Sequence, residues 1–277
     1  MRGRYAPDVP KLLVELMAGA PAALPPSSVV GWLAQCSEGV GVLLAPPQPD
    51  LLKETGARLA PLLAQRLYVV MAPALRSALD QRSVPPTQGP PLDTDRQHTV
   101  RMALLDGLVH CLTNAPKSAR EPGSSLPHLI AWAQHAIAQL DSAASGGRGD
   151  STPAVLRNHE MARLVLVPAA LRVMSSLTRE LNEAGGAQHH QHLDELLSVL
   201  LTPLAEAGAT APTPVQMDTM EAALECLDAA RLWPPYQLLP HKQRVLKALK
   251  AALDHRKRRI RQAACRCGYN WHLLGGK

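Results

Sequence analysis

Apolar positions recur along this chain at helical spacing, and prolines fall between the runs. The clearest run lies near the end. From His241 to Leu253, the residues Val245, Leu246, Ala248, Leu249, Ala252 and Leu253 fall at i, i+1, i+3, i+4, i+7 and i+8 and predict one face of a helix. Pro240 stands at or just before the first turn, where a missing N–H costs nothing. A second helix is predicted from Arg256 to Leu273, with Ile260, Ala263, Ala264, Cys267, Trp271 and Leu274 lining the inner face. Asp254, between the two, is expected to cap the second helix, because its carboxylate can accept from unpaired N–H groups. Neither helix can bury its apolar face alone. Two antiparallel helices with small residues at the crossing are the unit of a stacked helical array.

The same alternation of apolar run and proline-rich break extends upstream. Helices are predicted over Val9–Ala20 and Val29–Leu44, giving a first pair within residues 1–45. A second pair, within 50–115, has a stretch from Asp50 to about Gln81, kinked or split at Pro61 and Pro73, and a helix from Val100 to Asn114. A third, within 126–184, runs over Leu126–Ser142 and Ala154–Glu183, with a kink near Pro168. The fourth, within 188–232, comprises His192–Ala207 and Val215–Leu232, and residues 238–274 close the series. Loops are expected over Val84–Arg96, Pro116–Pro127 and Ala143–Pro153. Val100-Arg101-Met102-Ala103-Leu104 echoes Ile260-Arg261-Gln262-Ala263-Ala264 in four of five positions by residue class. In the fourth pair, Met217, Met220, Ala223, Leu224 and Leu227 form the inner stripe. Aligning Ala222-Ala223 with Ala263-Ala264 puts Met220 where Arg261 stands, so no continuous Asp–Arg ladder is expected. The fold class that follows is all-α, a HEAT/armadillo-like superhelix (a solenoid) of about five helix pairs.

Composition points the same way. Aromatic residues are 3% of the chain, with no Phe and only three Ile, so strand-favouring residues are scarce. With 25 Pro, the breaks between helices are well supplied. The charge is uneven: residues 241–277 hold five Lys and six Arg against one acidic residue, a local +10 in a chain of net +6. A basic end on a slightly acidic body suggests a polar docking surface at that end rather than a protein that coats nucleic acid. Five cysteines, Cys36, Cys111, Cys226, Cys265 and Cys267, follow an opening with no secretory pattern and are expected as reduced thiols. The longest uncharged apolar run, near Leu164–Leu171, is too short to span a bilayer.

Candidate chemistry is sparse. Cys265-x-Cys267 with His272 invites a metal, but side chains at i and i+2 of a helix point about 200° apart and cannot grip one ion. His189-His190-Gln191-His192 reads as a solvated helix start, and Arg148-Gly149-Asp150-Ser151 as a linker. No nucleophile elbow, P-loop, dinucleotide fingerprint or zinc-protease motif is present, so no catalytic, cofactor-binding or metal residue is assigned and a non-enzymatic protein is expected. What stands above background is the basic segment. Lys247, Lys250, Lys257, Arg258, Arg259, Arg261 and Arg266 are the candidate partner-binding residues, with Arg256 beside them. They read as a solvated face, as a docking surface for an acidic protein, or as a nucleic-acid contact. The last is weakened by the lack of interleaved exposed aromatics.

The end of the chain resembles one known family. Leu238-Leu239-Pro240, Val245, Ala248-Leu249, Leu253-Asp254, Lys257-Arg258-Arg259, Arg261, Ala263-Ala264 and the closing Trp271-His272-Leu273-Leu274-Gly275 are similar to the C-terminal HEAT repeats of the MMS-nineteen nucleotide-excision-repair protein family. The resemblance runs from Val215 to the end, and upstream it is one of architecture. It implies a C-terminal portion of a longer cytoplasmic and nuclear scaffold, an adaptor of cytosolic iron–sulfur protein assembly. The implied partners are a WD40 propeller, a MIP-eighteen-type subunit and apo iron–sulfur clients such as DNA helicases, with no membrane. It also implies that Arg261 reaches the turn Asp of a neighbouring repeat. No contact residues carry over. The rival expectation is a generic HEAT-repeat scaffold or a transport-receptor-like protein.

Overall fold

The computed structural model describes residues 72–80, 94–114, 120–144, 154–184, 192–205 and 212–275, and every regular element among them is helical. Helix α1 covers 72–80. It is followed by α2 (Thr94–Asn114), α3 (Pro122–Ala144), α4 (Ala154–Glu183), α5 (Leu193–Ala205) and α6 (Pro214–Ala230). A single turn, α7 (Pro235–Leu238), runs into a 3-10 turn (Leu239–His241), and α8 (Lys242–Leu253) and α9 (Arg258–His272) complete the order. The expected helices before residue 72, and most of the expected loops, lie outside the described residues.

Prolines mark starts more than stops. Pro214 occupies the first turn of α6 behind a capping box. There the Gln216 N–H donates to Thr213 Oγ1 at 3.2 Å, and the Thr213 N–H donates to Gln216 Oε1 at 2.8 Å. Pro122 likewise opens α3 four residues ahead of Leu126, so Pro127 lies inside the helix rather than at its edge. Helix α2 starts at Thr94, six residues before Val100, because its first turns are polar and carry no apolar period to read. Pro168 sits within α4 without ending it.

The described residues fall into two compact units. The first contains α1, α2 and the opening residues of α4, to His159. Its core includes Leu75, Leu79, Leu104, Leu108 and Leu112. Arg76 is 4% exposed there, pairing with Glu121 at 2.6 Å and donating to the Arg120 carbonyl at 3.4 Å.

The second unit contains α3, the rest of α4, and α5 to α9. Here α5 packs on α6 and α8 packs on α9; α8 also rests on α5, α9 on α6, and α3 on α5. The leading helices α3, α5 and α8 therefore touch in succession, and the trailing helix α9 touches the trailing helix α6. Helix α6, held between α5 and α9, buries Ala222, Ala223, Ala229 and Ala230, whose small side chains let both neighbours approach. A tryptophan secures each step. Trp233 donates from Nε1 to the Thr178 carbonyl of α4 at 3.3 Å, and Trp271 of α9 donates to the Leu227 carbonyl of α6 at 3.2 Å. Stacking of this kind is how a helical repeat array buries faces that a lone hairpin would leave wet.

Candidate functional site: the terminal hairpin

The hairpin of α8 and α9 carries the charge concentration read from the sequence. Val245, Leu249 and Ala252 of α8 and Ile260, Ala264, Cys267, Gly268 and Trp271 of α9 are buried. Ala263, expected on the inner face, is only half-buried. The wide apolar face of α8 divides: Leu246 is half-buried and Leu253 is 39% exposed, so these two turn outward.

The connection departs from expectation. Asp254 is the C-terminal cap of α8, and its side chain is exposed. The N-cap of α9 is Lys257, whose backbone is extended and whose side chain makes no capping bond. Asp254 lies too far ahead of α9 to reach its first N–H groups, and the turn is organised by His255 and Arg261 instead. The Lys257 N–H donates to His255 Nδ1 at 3.1 Å, and Arg261 Nη1 donates to the His255 and Arg256 carbonyls, both at 2.8 Å. Arg261 thus folds onto its own turn rather than reaching an aspartate of a neighbouring repeat. His255 is buried, and burial foremost, then the charges of Arg261, Lys257 and Arg256, holds its pKa below the ordinary imidazole value of 6.5.

Contacts between hairpins fall to other residues. Arg259 pairs with Asp218 at 2.6 Å and Glu221 at 3.5 Å on α6. Asn270 donates to Asp228 at 2.7 Å. On the other flank, Arg244 donates to Ser198 Oγ at 2.8 Å, and His241 lies 3.3 Å from Asp194. The open end of the hairpin is tied by Lys242, whose Nζ donates to the His272 carbonyl at 2.8 Å and the Leu274 carbonyl at 2.7 Å.

The seven cations singled out from the sequence therefore do not form one patch. Arg259 and Arg261 are engaged in holding the fold. Lys257 and Arg258 are exposed where α9 begins, and Arg266 is exposed on α9. Lys247 and Lys250 stand on the outward face of α8, at the rim of a groove of about 640 Å³ between the two helices. Leu246, Leu249, Leu253, Cys265, Gly268 and Tyr269 line that groove, and no acidic residue does. Sequence periodicity missed it by assigning Leu246 and Leu253 to the core. The available signal was an apolar face on α8 wider than one neighbour can cover.

The thiols divide sharply. Cys265 is exposed, whereas Cys111, Cys226 and Cys267 are buried, and burial pushes each of their thiols up to about 12. Cys265 and Cys267 thus sit on opposite sides of α9. Among the described residues no group of three His, Cys, Asp or Glu side chains is placed to hold a metal. His192 lies 3.3 Å from Glu195; the rest of the histidine cluster and the Arg148–Ser151 tetrapeptide lie outside the described residues. No described helix is long and apolar enough to cross a membrane.

No protein-family model matches the chain. Curated relatives do. It is 38% identical to the MMS19 nucleotide excision repair protein homolog of Xenopus tropicalis over 85 residues, covering 30% of this chain and 7% of that protein. It is 39% identical to the Danio rerio homolog over 83 residues, covering 30% and 8%. Against the Bos taurus homolog the likeness extends over 176 residues at 28% identity, covering 64% of this chain and 14% of the relative. The chain spans only 7–14% of the length of the curated relatives it matches. Over these shared segments the chain is similar to members of the MMS19 nucleotide excision repair protein family.

Proposed function

We propose that this chain is a non-enzymatic scaffold of the cytosolic iron–sulfur protein assembly targeting complex, built as a HEAT-type superhelix and working in cytoplasm and nucleus. Its task is to hold a WD40 propeller subunit and a MIP-eighteen-type subunit, and to bring them to apo-clients of DNA repair and replication such as helicases. The observation that carries this reading is the likeness to homologs named for nucleotide excision repair. The geometry supports a binding role: among the described residues the stacked hairpins bury every thiol but Cys265 and turn cations such as Lys247, Lys250 and Arg258 outward. A rigid surface that engages two partners at once raises their effective concentration for each other.

The test is retention of the purified propeller and MIP-eighteen-type proteins by the immobilised chain. Both are expected to be held. A chain that is helical by circular dichroism yet holds neither would end the proposal. Salt-dependent binding to duplex DNA, lost in a Lys257→Glu/Arg258→Glu variant, would favour a nucleic-acid contact instead.

A further inference from the structure

We infer that the groove on the outer face of the terminal hairpin is a docking site for an acidic amphipathic helix of a partner protein. The groove runs along α8, whose twelve residues give it a length of about 18 Å, or three helical turns. Its apolar surface is supplied by Leu246 and Leu253, which the hairpin leaves out of its own core, and by Tyr269, which is 65% exposed. Aliphatic and aromatic side chains facing outward along a straight furrow match the i, i+3, i+7 anchors of a helix laid into it.

Charge selects the occupant. Lys247 and Lys250 are exposed on the rim, and no carboxylate among the described residues pairs with either. Lys242, at the same rim, is already committed to two carbonyls. The cations left over therefore flank an apolar floor, and the complement is an apolar stripe bordered by Asp and Glu. A nucleic-acid strand would meet the lysines but leave Leu246 and Leu253 unanswered.

Gly268 adds an independent argument. It sits in the interior of α9, where glycine weakens a helix relative to alanine. Internal packing does not require it: a Cβ there would meet only Leu249 Cδ1, at an ordinary 3.8 Å. What the missing methyl does provide is an open floor for the groove. Helix stability is given up at the position where an incoming side chain would sit.

This deepens the scaffold reading, but it is tested on the full chain alone, without the propeller or the MIP-eighteen-type protein. Failure of their retention would therefore leave it standing, and the reverse also holds. The probe is a synthetic helix-forming peptide with Leu at i, i+3 and i+7 and Glu on both flanks. Binding is read by anisotropy and by protection of the Cys265 thiol, which lines the groove, from maleimide. The peptide should bind and slow labelling of Cys265. Lys247→Glu/Lys250→Glu should weaken binding by about tenfold or more, with an unchanged melting temperature. Gly268→Ala should raise the melting temperature and weaken binding together. The inference is overturned by unprotected Cys265, by equal binding to the charge-reversed variant, or by a DNA duplex that protects Cys265 where the peptide does not.

Discussion

Removing Trp271 tests the stacking of the last hairpin most directly. The side chain is fully buried in α9, and its Nε1 donates to the Leu227 carbonyl of α6 at 3.2 Å. Truncating a buried Trp to Ala costs about 3–5 kcal/mol. Trp271→Phe separates packing from hydrogen bonding. It keeps most of the ring and loses a bond worth about 1 kcal/mol. The Leu227 carbonyl would not be orphaned, since it also accepts from the Arg231 N–H at 3.2 Å. The Phe variant should therefore cost about 1–2 kcal/mol in total. Since α8 and α9 form the last hairpin, the loss should appear first as local opening. Amide hydrogen exchange in α8 and α9 of Trp271→Ala should accelerate about 100-fold or more, at tenfold per 1.4 kcal/mol. Exchange in α8 and α9 that stays within about threefold of the parent, or a Phe variant as damaging as Ala, would refute the assignment.

Four further outcomes follow. The coupling of Arg259 to Asp218, measured by a double-mutant cycle to Ala in urea, should not exceed about 1 kcal/mol and should shrink in high salt, because both side chains are roughly half exposed. His255 takes its proton less readily folded than unfolded. Well above pH 6.5 the ring is neutral in both states and contributes nothing to the pH slope. On acidification the unfolded chain binds the proton first, so stability falls from about 6.5 down through the folded pKa; His255→Asn should flatten that slope in denaturation curves. Ellman's reagent should modify Cys265 quickly and Cys111, Cys226 and Cys267 only on unfolding, so Cys265→Ser should remove one equivalent of thiol from the fast phase of the parent. Gly268→Ala should stabilise by about 1 kcal/mol in thermal or urea unfolding, and a loss of stability would mean the site is tighter than its 3.8 Å neighbour indicates.

Legibility from sequence tracked how local the governing physics is. The bounds of α4 and α8 could be read closely, because proline, glycine and helical periodicity act within a few residues. The polar start of α2 could not, because nothing apolar marks Thr94 to His98. Which helix rests on which was only a guess from the repeat pattern. Partner choice was harder still. Arg261 and Arg259 are near neighbours with the same chemistry, yet one folds onto its own turn and the other crosses to α6. That choice depends on where each side chain leaves the helix relative to a surface distant in sequence. The groove was hidden for a related reason: the apolar period of α8 does not say which of its leucines has a neighbour.

The two extremities of the last hairpin answer to different chemical signals. Its turn is arranged around an imidazole, so it responds to protons. Its other extremity is clasped by one ammonium holding the carbonyls of His272 and Leu274. Acylation of Lys242 would take away its charge and leave it too few donors for both oxygens. Loosening there would free the residues just past α9, where Gly275 lies close against Leu239, while the proton-responsive bend stays shut.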